Sequence, residues 1–188
     1  LTTNIMLGGV GGQGLILMTR TICQAALKDD FDVKSNDVVG LSQRGGMVWG
    51  NVKIGKKVLS PNIPPGEGDI LLAMEPLEAL RWSSMLKDEG KIILNSKRFY
   101  PTMVQQEKYP YPEEEIEELK SKFKVIEINA FEEATKIGKK QVSNVILLGI
   151  LAKNLEIQVH TWKETIKDNV PYKTIDMNME AFNFGYQY

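Results

Sequence analysis

Short apolar runs and amphipathic stretches alternate along this 188-residue chain. The first run, Asn4-Ile5-Met6-Leu7, leads through glycines into residues 15–28, where Leu15, Met18, Ile22, Ala25 and Ala26 recur. That spacing puts one apolar stripe on a helix. Residues 31–36 read as a second strand, and residues 47–54 alternate as a strand does before Gly55-Lys56-Lys57 turns the chain into Val58-Leu59. An added hairpin is the expectation. Residues 69–74 and 91–95 are continuous apolar runs of the kind buried on both faces of a parallel sheet. Between them Pro76 opens a helix carrying Leu77, Leu80 and Met85, with a stop expected at Gly90.

The pattern dissolves over residues 96–112 into Phe99-Tyr100-Pro101 and Tyr109-Pro110-Tyr111-Pro112. Loops of this length are uncommon in compact domains unless they bind something, so partner contact is expected there. An acidic helix follows over residues 113–122, then a strand over 123–129, a short helix over 131–137 ended by Gly138, and a helix over 145–153 that is apolar on most sides and therefore central. His160 precedes Thr161-Trp162-Lys163-Glu164, which has capping-box spacing for another helix. The final helix, over residues 176–184, is expected to stop at Gly185, with Phe182, Phe184, Tyr186 and Tyr188 docking the tail onto the domain or a neighbour. Recurrent strand, helix, strand order argues for right-handed crossovers. The predicted fold is α/β: a Rossmann-like three-layer domain with a mainly parallel central sheet and an added hairpin, residues 1–188 forming one domain.

Composition narrows the function. With 43% hydrophobic and 25% charged residues the chain reads as an ordinary globular protein. Its 23 basic and 24 acidic side chains leave a net charge of -1, which supplies no electrostatic footprint for nucleic acid. No apolar stretch approaches a membrane span, and the start of the chain lacks a basic segment followed by an apolar one, so a cytoplasmic location is expected. Cys23 is the single cysteine, which excludes an internal disulfide and any four-thiolate iron–sulfur or zinc site built by this chain alone. It reads as a buried filler beside the helix stripe. His160, the single histidine, has no charged or thiol neighbour in sequence to make it a general base, and the acidic helix reads as a solvated face.

The chemistry concentrates in Gly8-Gly9-Val10-Gly11-Gly12-Gln13-Gly14. Gly9, Gly11 and Gly14 fit G-x-G-x-x-G between a strand and a helix, so backbone amides can approach an anion at the positive helix end. The other reading is a tight turn that packs strand against helix with nothing bound. Asp37 falls about twenty residues further on, where dinucleotide folds place a ribose-binding acid, or it is a turn residue. Ser42-Gln43-Arg44-Gly45-Gly46 forms a second glycine loop, and Arg44 can fork onto a phosphate or carboxylate or make a surface ion pair. Asn144 either caps the late apolar helix or points at whatever the glycine loops hold.

Gly9 to Gly14, Gln43 to Gly46, and Asn144-Val145-Ile146-Leu147-Leu148-Gly149 together resemble, in order and distance, the gamma-type subunit of the 2-oxoacid:ferredoxin oxidoreductases. The run from Ser42 to Val48 resembles the Ser-Gln-Arg-Gly-Gly-x-Val form of the indolepyruvate branch, in its small beta subunit. The resemblance implies CoA-dependent oxidative decarboxylation of a 2-oxoacid to acyl-CoA, carbon dioxide and reduced ferredoxin. It places thiamine diphosphate and [4Fe-4S] clusters on a large alpha-type partner, with ferredoxin as electron acceptor, and leaves this chain inert alone. On this reading Gly9, Gly11, Gly12, Gln13, Gly14, Ser42, Gln43, Arg44, Gly45, Gly46 and Asn144 face coenzyme A or the partner, and no cofactor is bound by this chain by itself. Two alternatives stay open: a self-sufficient NAD- or flavin-dependent oxidoreductase, and a subunit serving assembly only.

Overall fold

The computed structural model describes residues 2–38, 46–100, 105–106 and 109–188. Strand β1 (Thr3–Val10) runs parallel to β4 (Gly68–Ala73), β4 to β5 (Leu86–Asn95), and β5 to β6 (Lys124–Ile128). On its other edge β1 pairs antiparallel with β3 (Met47–Gly55), which pairs antiparallel with β2 (Asp32–Val38). One six-stranded sheet results, ordered β2-β3-β1-β4-β5-β6, in which β3 alone runs against the rest. The expected hairpin is real, but it is β2–β3. Both edges of β3 are thereby taken, which leaves Val58-Leu59 no ladder to join, and Leu59 is 85% exposed.

Helices cover both faces. Period-two alternation sends Ile5, Leu7, Ile70, Leu72 and Ile93 to one side and Met6, Leu71, Ala73, Ile92 and Leu94 to the other. The first side packs under α1 (Leu15–Lys28), α4 (Ala130–Ile137), α5 (Ser143–Ala152), α6 (Val159–Asn169) and α7 (Ile175–Gln187). The second packs under α2 (Pro76–Trp82) and α3 (Glu113–Lys122). This is the expected three-layer arrangement. Its centre is α5, buried from Asn144 through Ala152 and therefore apolar on every side. Trp162 of α6 and Phe182 of α7 stack on each other in the same core, ring centroids 6.5 Å apart, each burying a large apolar side chain completely.

Two glycines change their expected meaning. Gly185 does not end the last helix; it lies inside α7, where a methyl group would sit 1.9 Å from the Ile146 carbonyl oxygen of α5. Gly149 on α5 is pressed in the same way, its missing Cβ lying 2.4 Å from the Phe182 carbonyl. The pair lets two helix backbones touch. Gly90 likewise lies inside β5, because α2 stops at Trp82, a single 3-10 turn spans Ser83–Met85, and the strand begins at Leu86. Pairing of Leu86 with Gly68 of β4 overrides the local helical pattern. The capping-box reading also yields: Thr161 sits within α6 and donates its hydroxyl to Asp29 Oδ1 at 2.5 Å, while the Gln158 amide donates to Asp29 Oδ2 at 2.5 Å. An aspartate at the end of α1 thus caps a helix remote in sequence.

Candidate functional site

The chain leaves β1 into α1 on one face of the sheet and leaves β4 into α2 on the other. Neighbouring parallel strands whose connections diverge leave a crevice at their carboxyl ends, where α/β proteins hold ligands. Here that crevice is a cavity of about 1040 Å³ reaching from the glycine loop to the start of α5 and the last turn of α6. Val10, Met74 and Asn95, at the ends of β1, β4 and β5, line it together.

The glycine loop forms one wall, and its parts do different work. Gly12 and Gly14 adopt φ of 95° and 82°, the left-handed region that favours glycine. A Cβ at Gly12 would meet nothing within 4 Å, whereas one at Gly14 would lie 2.6 Å from Asn144 Nδ2. Gly9 stands behind the wall: its missing side chain makes room for Leu15 Cδ1 at 2.6 Å and Gln13 Oε1 at 2.8 Å. Gln13 clamps the turn, its Oε1 accepting from the Val10 amide at 2.7 Å and its Nε2 donating to the Met74 carbonyl at 3.3 Å. The Gly11 amide donates to the Gly46 carbonyl at 2.8 Å, joining the two glycine motifs. Ser42, Gln43, Arg44 and Gly45 lie outside the described residues.

Asn144 does not cap α5. It lies inside the first turn, 6% exposed, lining the cavity with no hydrogen-bond partner among the described residues. Its contact with Gly14 brings the N-terminus of α5 against that of α1. Neither helix has a side-chain cap or a carboxylate in its first turn, and α5 continues a 3-10 turn, Lys140–Val142, whose Lys140 carbonyl accepts the Ser143 amide. Lys139 and Lys140 add two cations on the approach to α5.

The facing wall holds residues the sequence reading passed over. Glu75, 1% exposed, accepts at Oε2 from the Leu77 amide at 2.7 Å and the Glu78 amide at 3.3 Å, capping α2. Its Oε1 accepts from the Tyr111 hydroxyl and from the Phe99 amide at 3.4 Å, fastening the aromatic segment beside the cavity. Burial, and then the bond to Glu75 and its charge, hold the Tyr111 phenol well above its ordinary pKa. Glu78 is 3% exposed; burial pushes its carboxyl up, against the opposing pull of Arg81 and the Trp82 indole N–H. The usable signal was Glu75-Pro76 directly after an apolar strand, an acidic residue before a helix-opening proline.

Other candidates fall away from this place. Asp37 is in β2, and β3 separates that strand from β1, so it does not stand beside the glycine loop as a dinucleotide fold requires. His160 is exposed in the first turn of α6, next to Asp29 at the far end of α1 from Gly14. Cys23 packs against the main core. Among the described residues no group of three or more His, Cys, Asp or Glu side chains could hold a metal, and no helix is long and apolar enough to cross a membrane.

A mostly parallel sheet with a glycine loop and a facing carboxylate wall at its switch point defines a Rossmann-like α/β fold with an open crevice. The chain belongs to the pyruvate ferredoxin/flavodoxin oxidoreductase family, whose model matches residues 4–188. It is a small subunit of the 2-oxoacid:ferredoxin oxidoreductase class. The indolepyruvate oxidoreductase subunit IorB of Archaeoglobus fulgidus is 36% identical to it, over 97% of this chain and 93% of that protein. The gamma subunit of keto/oxoacid ferredoxin oxidoreductase from Geobacter sulfurreducens shares the fold at a TM-score of 0.74 and 22% identity, over 98% of this chain and 96% of that one. The 2-oxoglutarate:ferredoxin oxidoreductase of Magnetococcus marinus, solved with 2-oxoglutarate, coenzyme A and succinyl-CoA bound, matches at a TM-score of 0.77 and 19% identity, over 99% of this chain but 30% of that chain.

Proposed function

We propose that this chain is the small subunit of an indolepyruvate- or arylpyruvate-type ferredoxin oxidoreductase, acting as one domain that supplies part of the coenzyme A site. The complex oxidatively decarboxylates a 2-oxoacid with coenzyme A to acyl-CoA and carbon dioxide, and passes the electrons to ferredoxin. A large alpha-type partner holds thiamine diphosphate and the [4Fe-4S] clusters, which supply the carbanion and electron-transfer chemistry when bound. With Cys23 as its single cysteine this chain cannot ligate such a cluster by itself. The cytoplasm is the compartment that suits a ferredoxin-linked enzyme.

One observation carries the coenzyme A assignment: the N-termini of α1 and α5, neither with a side-chain cap, meet in the cavity, with the Asn144 side chain beside Gly14 and engaged in no hydrogen bond among the described residues. Amides and dipoles so placed fit a phosphate. Gly12, Gly14 and Asn144 would hold the diphosphate, and Arg44 is proposed to fork onto it from the second loop.

Calorimetric titration of the complex with coenzyme A tests this. Asn144→Ala and Arg44→Ala are each expected to weaken binding on the order of tenfold. Unchanged affinity and turnover would remove the residue concerned from the site. An assembly-only role has one fact in its favour: Gln13 and the Gly11 amide are fully engaged within the chain. On that reading the complex would bind coenzyme A equally well with both substitutions in place.

A further inference from the structure

Arg81 is a cation on the cavity wall that the glycine loop does not explain. It projects from the last turn of α2 with its side chain half exposed, and it makes no hydrogen bond within the described residues. Its ion pair is with Glu78, Nε to Oε1 at 3.4 Å. Pairing through Nε leaves the outer edge of the guanidinium, with its Nη groups, to receive a ligand.

The carboxylate behind it is firmly held. Glu78 Oε2 accepts from the Trp82 indole N–H at 3.3 Å, and Trp82 packs on Trp49 with ring centroids 4.9 Å apart. Trp82 in turn rests on Gly8 of β1, where a Cβ would come within 2.9 Å of its ring. A tryptophan pair anchored on the sheet therefore fixes Glu78, and Glu78 aims Arg81. A loose surface arginine loses rotamer freedom on binding, whereas one already directed by a carboxylate loses less per bond formed. A planar fork of this kind suits a terminal phosphate.

Cations thus stand on two separate supports of one cavity: Arg81 on α2, and Lys139 and Lys140 beside the helix ends that meet at Gly14. The arrangement fits a ligand with two anionic groups set apart. Resting on the coenzyme A reading above, we propose that Arg81, positioned by Glu78, grips the 3′-phosphate of the ligand whose diphosphate lies at the α1 N-terminus, so that this chain selects for the phosphorylated ribose.

The test compares coenzyme A with 3′-dephospho-coenzyme A on the complex by titration calorimetry. The wild type should prefer coenzyme A on the order of tenfold, the value of a charge-assisted bond. Arg81→Ala should bind both compounds alike, Arg81→Lys should recover part of the preference, and Glu78→Gln should reduce it while leaving affinity for the dephospho compound unchanged. A pair that only stabilised the helix would shift the melting temperature and leave the preference intact. Preference retained in Arg81→Ala, or absent from the wild type, overturns the proposal while the coenzyme A site stands. A wild-type complex that binds neither compound removes both.

Discussion

Two helices begin at the same crevice and are finished in opposite ways. α1 starts at Gly14 with a left-handed glycine, no side-chain cap and no acidic residue in its first turn. α2 starts at Glu75, whose carboxylate takes two of its amides, with Pro76 and Glu78 in the opening turn. The first leaves its positive end without a side-chain cap, and the second satisfies it from within. A helix N-terminus at a switch point is therefore not in itself a binding site; what precedes it decides whether its dipole is available.

The contrast is broken most severely by Glu75→Ala. Removing the carboxylate strands two α2 amides, the Phe99 amide and the Tyr111 hydroxyl, at a cost of about 3–5 kcal/mol. Chemical denaturation should register that loss, and a change under about 1 kcal/mol would mean that these donors find water instead. A finer test compares Gly14→Ala with Gly12→Ala. Both positions force alanine into the left-handed region at about 1–2 kcal/mol, but only at Gly14 does the new methyl strike Asn144. Gly14→Ala should be the less stable of the two and should weaken coenzyme A binding further, and equal effects would show that the Asn144 contact is soft.

The smallest effect concerns pH. Burial raises the Glu78 carboxyl above the ordinary glutamate value of 4.5, so the folded state holds that proton more tightly than the unfolded chain. Its contribution to stability is full below that value and is lost as pH rises through the raised one. Melting temperatures measured from pH 4 to 8 should fall in the wild type relative to Glu78→Gln. A wild type that instead gains on the variant with rising pH would mean that Arg81 outweighs burial.

Much of this frame was legible from pattern. Glycine spacing located the turn after β1, and uniform hydrophobicity identified α5 as the central helix. What stayed hidden depended on contacts distant in sequence. Nothing near Gly185 announces that Ile146 will press on it, so a glycine at the end of an apolar stripe reads as a stop. The helix expected through Gly90 gave way because strand pairing with β4 claims Leu86. Of the two readings open for Asn144, the cap is not the one the structure takes, since its side chain lies beside Gly14. Glu75 and Glu78 drew no reading, because only burial makes them unusual.

The Met74 carbonyl accepts from both Gln13 Nε2 and Asn95 Nδ2, and Asn95 Oδ1 in turn accepts the Ala130 amide at 3.0 Å. The ends of β4 and β5, the turn after β1 and the first residue of α4 are thereby laced through the Met74 carbonyl and the Asn95 side chain. A disturbance entering at any of them will be felt at the others, so the rim around the crevice yields as a unit or holds as one.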